Sequence, residues 1–124
     1  MGLLDGLMGN ASEVDVAEVS ESLAEILADN ESITNAYKLI RDMLVLTNKR
    51  LIFIDKQGVT GKKVSYHSIP YKSVTNFIVE TAGTFDTDSE LKVWVSGNST
   101  PLELELKSSL APSVQQALAT QMFS

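Results

Sequence analysis

The sequence contains no cysteine and only one histidine, His67. The missing thiols exclude a disulfide framework, a thiolate nucleophile and a zinc site built on cysteine. A site that needs histidine could use His67 alone, and the strand pattern around it indicates an exposed or edge position. Walker, GxGxxG, HExxH and GxSxG motifs are also absent. We therefore expect a protein that is not an enzyme and that binds no metal or cofactor.

Long apolar runs are absent as well. Residues 1–9 lack the basic region and the continuous apolar stretch of a secretory signal, and no later run approaches the roughly 20 residues needed to cross a bilayer. The 124 residues, 44% of them apolar and 21% charged, are typical of one folded domain. We expect a cytoplasmic protein.

Charges of opposite sign are concentrated in different parts of the chain. Residues 1–37 contain eight acidic and no basic residues, whereas residues 38–72 contain eight basic and two acidic residues. The basic segment either complements the acidic one, within or between chains, or binds anionic lipid, phosphate or nucleic acid. Because the net charge is −6, we expect no nucleic acid partner and no strong membrane contact.

The first predicted element is an amphipathic helix over residues 13–28. Ser12 and Asp15 form a capping-box pattern at its start. Its apolar residues follow the 3-4-3 spacing of one helix face, namely Val16, Val19, Leu23, Ile26 and Leu27. This face packs either on the same chain or against a neighbouring subunit, and the sequence leaves both interpretations open.

After residue 30 the apolar pattern changes to period 2. Seven short strands are predicted at 33–40, 43–47, 51–55, 62–67, 73–80, 90–96 and 102–107. This spacing indicates a mainly β, antiparallel sandwich or barrel. Pro112 fits the first turn of a closing amphipathic helix. We therefore predict an N-terminal helical extension at 1–30 and a β domain at 31–124.

The hairpin over residues 43–54 is apolar on both faces. A two-residue turn at Asn48-Lys49, where Asn48 tolerates a positive φ, places Leu46 opposite Leu51. The second face then needs a cover, which is either the helix at 13–28 or another subunit. The candidate residues for an oligomer interface are Met43, Val45, Ile52 and Ile54 of the hairpin, and Val16, Val19, Leu23 and Ile26 of the helix.

Three stretches of the sequence together resemble a known family: the run from Met43 to Asp55, then Gly61-Lys62-Lys63, and then Ser68-Ile69-Pro70-Tyr71-Lys72-Ser73-Val74. The resemblance is to the bacterial pleckstrin-homology (PH) domain family and covers about residues 31 to 122. The resemblance implies two nearly orthogonal antiparallel sheets with seven strands and a C-terminal capping helix. It also implies a homo-oligomer, with a ring as one arrangement. Eukaryotic cousins often bind phosphoinositides through a first hairpin loop rich in basic residues, whereas that loop here is Arg41-Asp42.

Two functions are compatible with these patterns. The first is a non-enzymatic module that self-associates and serves as a scaffold or as a binding unit for an unidentified protein. The alternative is peripheral binding of anionic lipid or phosphate through Lys49, Arg50, Lys56, Lys62 and Lys63. Trp94 alternates away from the apolar residues of its strand, which suits either an interface anchor or packing beneath a helix.

Overall fold

The computed structural model describes residues 15–39, 42–57, 63–81 and 88–123, apart from the side chains of Lys56 and Gln57. The elements in chain order are α1 (Val16–Ser22), β1 (Ile33–Lys38), β2 (Met43–Thr47), β3 (Arg50–Gln57), β4 (Lys63–Pro70), β5 (Val74–Glu80), β6 (Asp88–Val95), β7 (Leu102–Lys107) and α2 (Ala111–Met122). No helix in this part of the chain is long and apolar enough to cross a membrane.

The seven strands form two antiparallel sheets, one in the order β1-β2-β3-β4 and one in the order β5-β6-β7. The alternation of apolar and polar residues along a strand decides which of its faces points to the core. In β7, Leu104 and Leu106 are buried while Glu103 and Glu105 are exposed. The predicted two-sheet fold with a helix at each end is therefore confirmed. β4 continues to Pro70, beyond the predicted end at residue 67.

The main core lies between the two sheets and is closed by α2. Leu44, Leu46 and Leu51 of the first sheet meet Leu91 and Val93 of the second sheet there. The buried residues of α2 are Ala111, Val114, Ala117 and Leu118. Pro112 lies in the first turn of α2, as the sequence predicts. A backbone N–H at this position has no partner within the helix, so its absence in proline breaks no helical hydrogen bond.

α1 is shorter than the predicted helix at 13–28. Asp15 is its N-cap, and a carboxylate oxygen of Asp15 accepts a hydrogen bond from the Ala17 N–H at 2.9 Å. The predicted cap residue Ser12 lies outside the described residues. The regular helix ends at Ser22, and the chain continues in turns towards Ile26. The Ile26 carbonyl accepts a hydrogen bond from Arg50 instead of continuing the helix.

Candidate functional site

The doubly apolar hairpin has the predicted register. Met43 lies opposite Ile54, Leu44 opposite Phe53, Val45 opposite Ile52, and Leu46 opposite Leu51. One face of the hairpin belongs to the main core. The other face forms a second cluster beneath α1, whose buried members are Val19, Leu23, Ile33, Ala36, Val45, Ile52 and Ile54. The segment that begins with α1 therefore covers the second face within one chain.

This cover decides which of the predicted interface residues reach the surface. Val19 and Leu23 of the N-terminal segment are buried, as are Val45, Ile52 and Ile54 of the hairpin. Val16 and Met43 are partly buried at the edge of the second cluster. Ile26 is 40% exposed. A second copy could therefore contact Val16, Ile26 and Met43 without displacing α1, and the role of all eight residues in an interface stays a prediction.

Arg50 ties the segment after α1 to the sheet. Its Nε and Nη2 atoms donate to the two carboxylate oxygens of Glu31, at 2.8 and 3.0 Å. Nη2 also donates to the Ile26 carbonyl, and Nη1 donates to the Ser68 hydroxyl, both at 2.8 Å. The planar guanidinium suits this bidentate contact. We call the contact between Glu31 and Arg50 the latch.

The turn between β2 and β3 completes the latch. The Thr47 hydroxyl donates to Glu31 at 2.7 Å and accepts from the backbone N–H of Arg50 at 2.9 Å. The Asn48 side chain accepts from the Ser32 N–H at 2.8 Å and donates to the Asn30 carbonyl at 3.1 Å. Asn48 does not adopt the positive φ that asparagine tolerates, because among described non-glycine residues only Asn30 has one, at 63°. Asn48 instead binds the neighbouring loop through its amide.

Glu31 is the residue that the sequence analysis missed. The separation of acidic and basic segments indicated that the two attract each other, and the latch is one such contact within the chain. Nothing in the spacing singles out Glu31 among the eight acidic residues before position 38.

The environment of Glu31 strongly favours its charged form. Burial alone raises the pKa of this carboxyl group, but hydrogen bonds from Arg50, the Ala28 N–H and Thr47, together with the charge of Arg50, outweigh it. The pKa of Glu31 falls from its ordinary value of 4.5 to about 2. Because the carboxyl group is charged in the folded chain, the latch adds stability at neutral pH.

We expect the free energy of unfolding to depend on Glu31 between about pH 4.5 and pH 2. A carboxyl group whose pKa is lower in the folded chain than in the unfolded chain stabilises the fold fully at a pH above its unfolded-state pKa. This stabilisation is lost as the pH falls through its folded-state pKa. At neutral pH, the lowered pKa of Glu31 contributes about 3 kcal/mol to the free energy of unfolding. Urea unfolding of the wild type and Glu31→Gln at pH 7, 5, 4 and 3 measures it. The gap between the two proteins narrows with falling pH, and a constant gap would contradict the prediction.

The residues predicted for anion binding do not form one cluster in the described structure. Arg50 is held by Glu31, while Lys49 and Lys63 are exposed at opposite ends of the β3–β4 pair, roughly 25 Å apart along the strands. One phosphate group cannot contact both lysines. The side chain of Lys56 and the whole of Lys62 lie outside the described residues.

β4 presents an exposed edge of the first sheet. Ile69 is the buried residue among its eight, and the other seven are exposed. Val64 is 38% exposed and Tyr66 is 50% exposed. Among described strands, β4 pairs with β3 alone, so its other edge offers backbone hydrogen-bonding groups to a partner.

The outer face of the second sheet is acidic. The register places Glu80, Glu90 and Glu105 in one row across β5, β6 and β7. Lys92 lies in the same face and forms ion pairs with Glu80 at 3.3 Å and with Glu90 at 3.7 Å. A shallow groove of about 470 Å³ runs along this face and is lined by Glu80, Thr81, Asp88, Ser89, Glu90, Glu103, Leu104 and Glu105.

Comparison with known proteins places this fold in a family. The family model described as bacterial PH domain matches residues 2–122. Two crystal structures of PH domain proteins are similar to the chain. The protein from Shewanella amazonensis is 58% identical with a TM-score of 0.83, and covers 95% of this chain and 96% of its own. The protein from Shewanella loihica is 57% identical with a TM-score of 0.80, and covers 93% of this chain and 99% of its own.

Two Bacillus subtilis proteins, both described as uncharacterized, are also similar. YjqA is 58% identical over 101 residues, which are 82% of this chain and 81% of YjqA. YozO is 35% identical over 102 residues, which are 82% of this chain and 87% of YozO. The family match spans both sides of the predicted boundary at residue 30, and that boundary stays a prediction. With the two-sheet fold, these matches show that the chain belongs to the bacterial PH domain family.

Proposed function

We propose that this chain is a non-catalytic PH-like module that self-associates and serves as a scaffold or protein-interaction unit. The exposed edge strand β4 is the observation that carries this proposal. An exposed eight-residue edge with two large apolar side chains invites pairing with another chain. The proposed assembly is a homo-oligomer that covers β4, with a closed ring as one arrangement.

The position of Tyr66 strengthens this proposal. Met43, Ile54 and Tyr66 lie in one row across β2, β3 and β4. Ile54 is buried beneath α1 and Met43 partly so, whereas half of Tyr66 faces solvent. The apolar face of the first sheet therefore extends past its cover, and a partner at β4 would bury the remainder.

The absence of an enzymatic role is part of the same proposal. The sequence contains none of the catalytic motifs considered above. Within the described ranges, no three histidine or acidic side chains are placed to hold a metal ion. The similarity to PH domain proteins supports a non-catalytic module, and this support is an analogy of fold.

We expect the wild-type protein to have a mass well above the 13.5 kDa of one chain in light scattering at micromolar concentration. The Tyr66→Ser variant is expected to assemble about tenfold more weakly, because buried aromatic anchors carry a large share of interface energy. Phe123→Ser is the matched control, since it removes an exposed aromatic side chain from the end of α2. A wild-type mass of 13.5 kDa at every concentration would contradict the proposal.

Binding of an anionic lipid or phosphate is the second candidate. Lys49 and Lys63 are exposed, and neither forms an ion pair with a residue that the structure describes. Their separation favours a charged surface over one phosphate pocket. Sedimentation with phosphatidylserine vesicles at low salt distinguishes this candidate from self-association, because a scaffold that binds only protein stays in the supernatant.

A further inference from the structure

We infer that the cleft between α1 and the β2–β3 hairpin binds the first residues of the same chain, through the side chains of Leu3, Leu4, Leu7 and Met8. Residues 1–14 lie outside the described residues. Three features point to the cleft as their binding site, namely its apolar lining, the short stretch of chain that leads to it and the charge beside it. The cleft is remote from the β4 edge, so this inference does not depend on the proposed self-association.

The cleft lies at the open edge of the second cluster and has a volume of about 150 Å³. Its lining is almost entirely apolar, with Glu18 and Ser22 exposed at the rim. A cavity of about this size with aliphatic walls holds a benzene molecule, so the cleft accommodates one leucine or methionine side chain. The residues that line it are Glu18, Val19, Ser22, Leu23, Met43 and Ile54.

The sequence before α1 supplies apolar side chains of that size. Leu3, Leu4, Leu7 and Met8 have the spacing of one helix face. Glu18, Val19, Ser22 and Leu23, which form one wall of the cleft, repeat the same spacing. The first nine residues also contain three glycines, which weaken an isolated helix. Packing against a folded surface is therefore the main source of order available to this stretch.

The chain itself brings these residues to the cleft. Asp15 is the N-cap of α1, and Leu23 at the far end of the cleft lies eight residues further on, or about 12 Å of helix. Residues 9–14 separate Met8 from Asp15 and can span about 20 Å, which is enough to turn back along α1. A binding segment on so short a tether has an effective concentration in the millimolar range. The chain's own first residues therefore outcompete those of a second copy at micromolar concentration.

The charge beside the cleft matches the segment as well. Asp5 is the single charged side chain among residues 1–9. Lys38 lies directly opposite Met43 in the pairing of β1 with β2 and is exposed. It forms no ion pair with a residue that the structure describes. A segment bound over Met43 brings Asp5 towards this cation, which favours residues 3–8 as the occupant.

A pair of introduced cysteines tests the contact, because the chain has no cysteine of its own. Gly6→Cys keeps the four apolar side chains, and Ser22→Cys places a thiol at the rim of the cleft. With oxidised glutathione, we expect this pair to form a disulfide within one chain. The expected rate is at least about tenfold higher than that of the control pair, Gly6→Cys with Ala17→Cys.

The control separates binding from simple tethering. Ala17 is exposed and lies on the side of α1 that faces away from the cleft. It is also closer to residue 6 along the chain than Ser22 is, and a shorter loop closes more readily. A segment that is tethered but unbound would therefore link to position 17 at least as fast as to position 22.

Isotope labelling identifies the chain that supplies the segment. Labelled and unlabelled chains of the Gly6→Cys, Ser22→Cys variant are unfolded, mixed in equal amounts, refolded and oxidised. We expect mass spectrometry to find each linked peptide pair either fully labelled or fully unlabelled. Linked pairs with one labelled partner would assign the cleft to a second copy and overturn the inference.

Oxidation of methionine tests the same contact without introduced cysteines. Hydrogen peroxide converts an accessible methionine sulfur to the sulfoxide, and Met43 is partly buried in the cleft. We expect Leu4→Ser combined with Leu7→Ser to speed the oxidation of Met43 at least about threefold and to leave Met122 of α2 unchanged. Ile78→Ser removes an exposed apolar side chain from the second sheet and is expected to leave Met43 at the wild-type rate.

The outcomes are distinct from those that test self-association. Equal linking rates for positions 17 and 22 would overturn the inference, as would a Met43 oxidation rate that Leu4→Ser with Leu7→Ser leaves unchanged. A monomeric wild type contradicts the proposed function and leaves this inference standing, because the cleft and its occupant belong to one chain.

Discussion

The Arg50→Ala variant is expected to lose about 3 kcal/mol of its free energy of unfolding. The Glu31 side chain is 1% exposed, so removal of the guanidinium leaves a buried carboxylate without its cation. The Ile26 carbonyl and the Ser68 hydroxyl lose a donor at the same time. We choose the lower end of the range for a broken buried pair because the Arg50 side chain is 23% exposed and solvent screens part of the charge. Urea unfolding at pH 7, followed by far-ultraviolet circular dichroism, measures the change.

Three variants separate the latch from a general effect of charge. Arg50→Lys keeps the positive charge but cannot donate in the bidentate geometry, so we expect a smaller loss. Lys49→Ala removes the neighbouring exposed cation and is expected to change stability by less than about 0.5 kcal/mol. Arg50→Ala combined with Glu31→Gln should recover part of the loss, because the stranded charge is gone. An Arg50→Ala protein as stable as the wild type would contradict the role of the latch.

The Ile52→Asp variant is expected not to fold. Ile52 is fully buried in the cluster between the first sheet and α1, where a carboxylate finds no described cation. A carboxyl group buried without a cation takes up a proton, which costs about 4 kcal/mol at pH 7, and the lost packing of the isoleucine side chain adds about 3 kcal/mol. The sum is comparable to the whole of the roughly 5 to 15 kcal/mol that separates a folded domain from its unfolded chain. Circular dichroism and thermal unfolding measure the outcome, with loss of the cooperative transition as the expected result.

The conservative change at the same position serves as the control. Ile52→Val removes one methylene group and is expected to cost about 1 kcal/mol with the fold retained. A cooperative Ile52→Asp protein with the wild-type melting temperature would contradict the burial beneath α1. Any loss of assembly in Ile52→Asp reports a folding defect, so exposed positions such as Tyr66 are the informative sites for testing an interface.

Patterns among residues close together in the sequence determined the strands and the C-terminal helix α2. Alternation of apolar and polar residues placed Leu104 and Leu106 inside and Glu103 and Glu105 outside. The two-residue turn after Thr47 set the pairing of Leu46 with Leu51, because counting outward from a turn leaves one register. Helical spacing after Pro112 likewise predicted the buried face of α2. Each of these features depends on residues close together in the chain, which is why the sequence alone was sufficient.

Only the tertiary structure decided what covers the second face of the hairpin. Two covers satisfied the hydrophobic pattern equally well, and the structure places α1 on that face, with Glu31 and Arg50, 19 residues apart, joining the segment after α1 to the sheet. Arg50 also donates to the Ile26 carbonyl, which lies beyond the end of the regular helix at Ser22. Periodicity describes which side of an element is apolar, but it carries no information about which distant segment packs on that side.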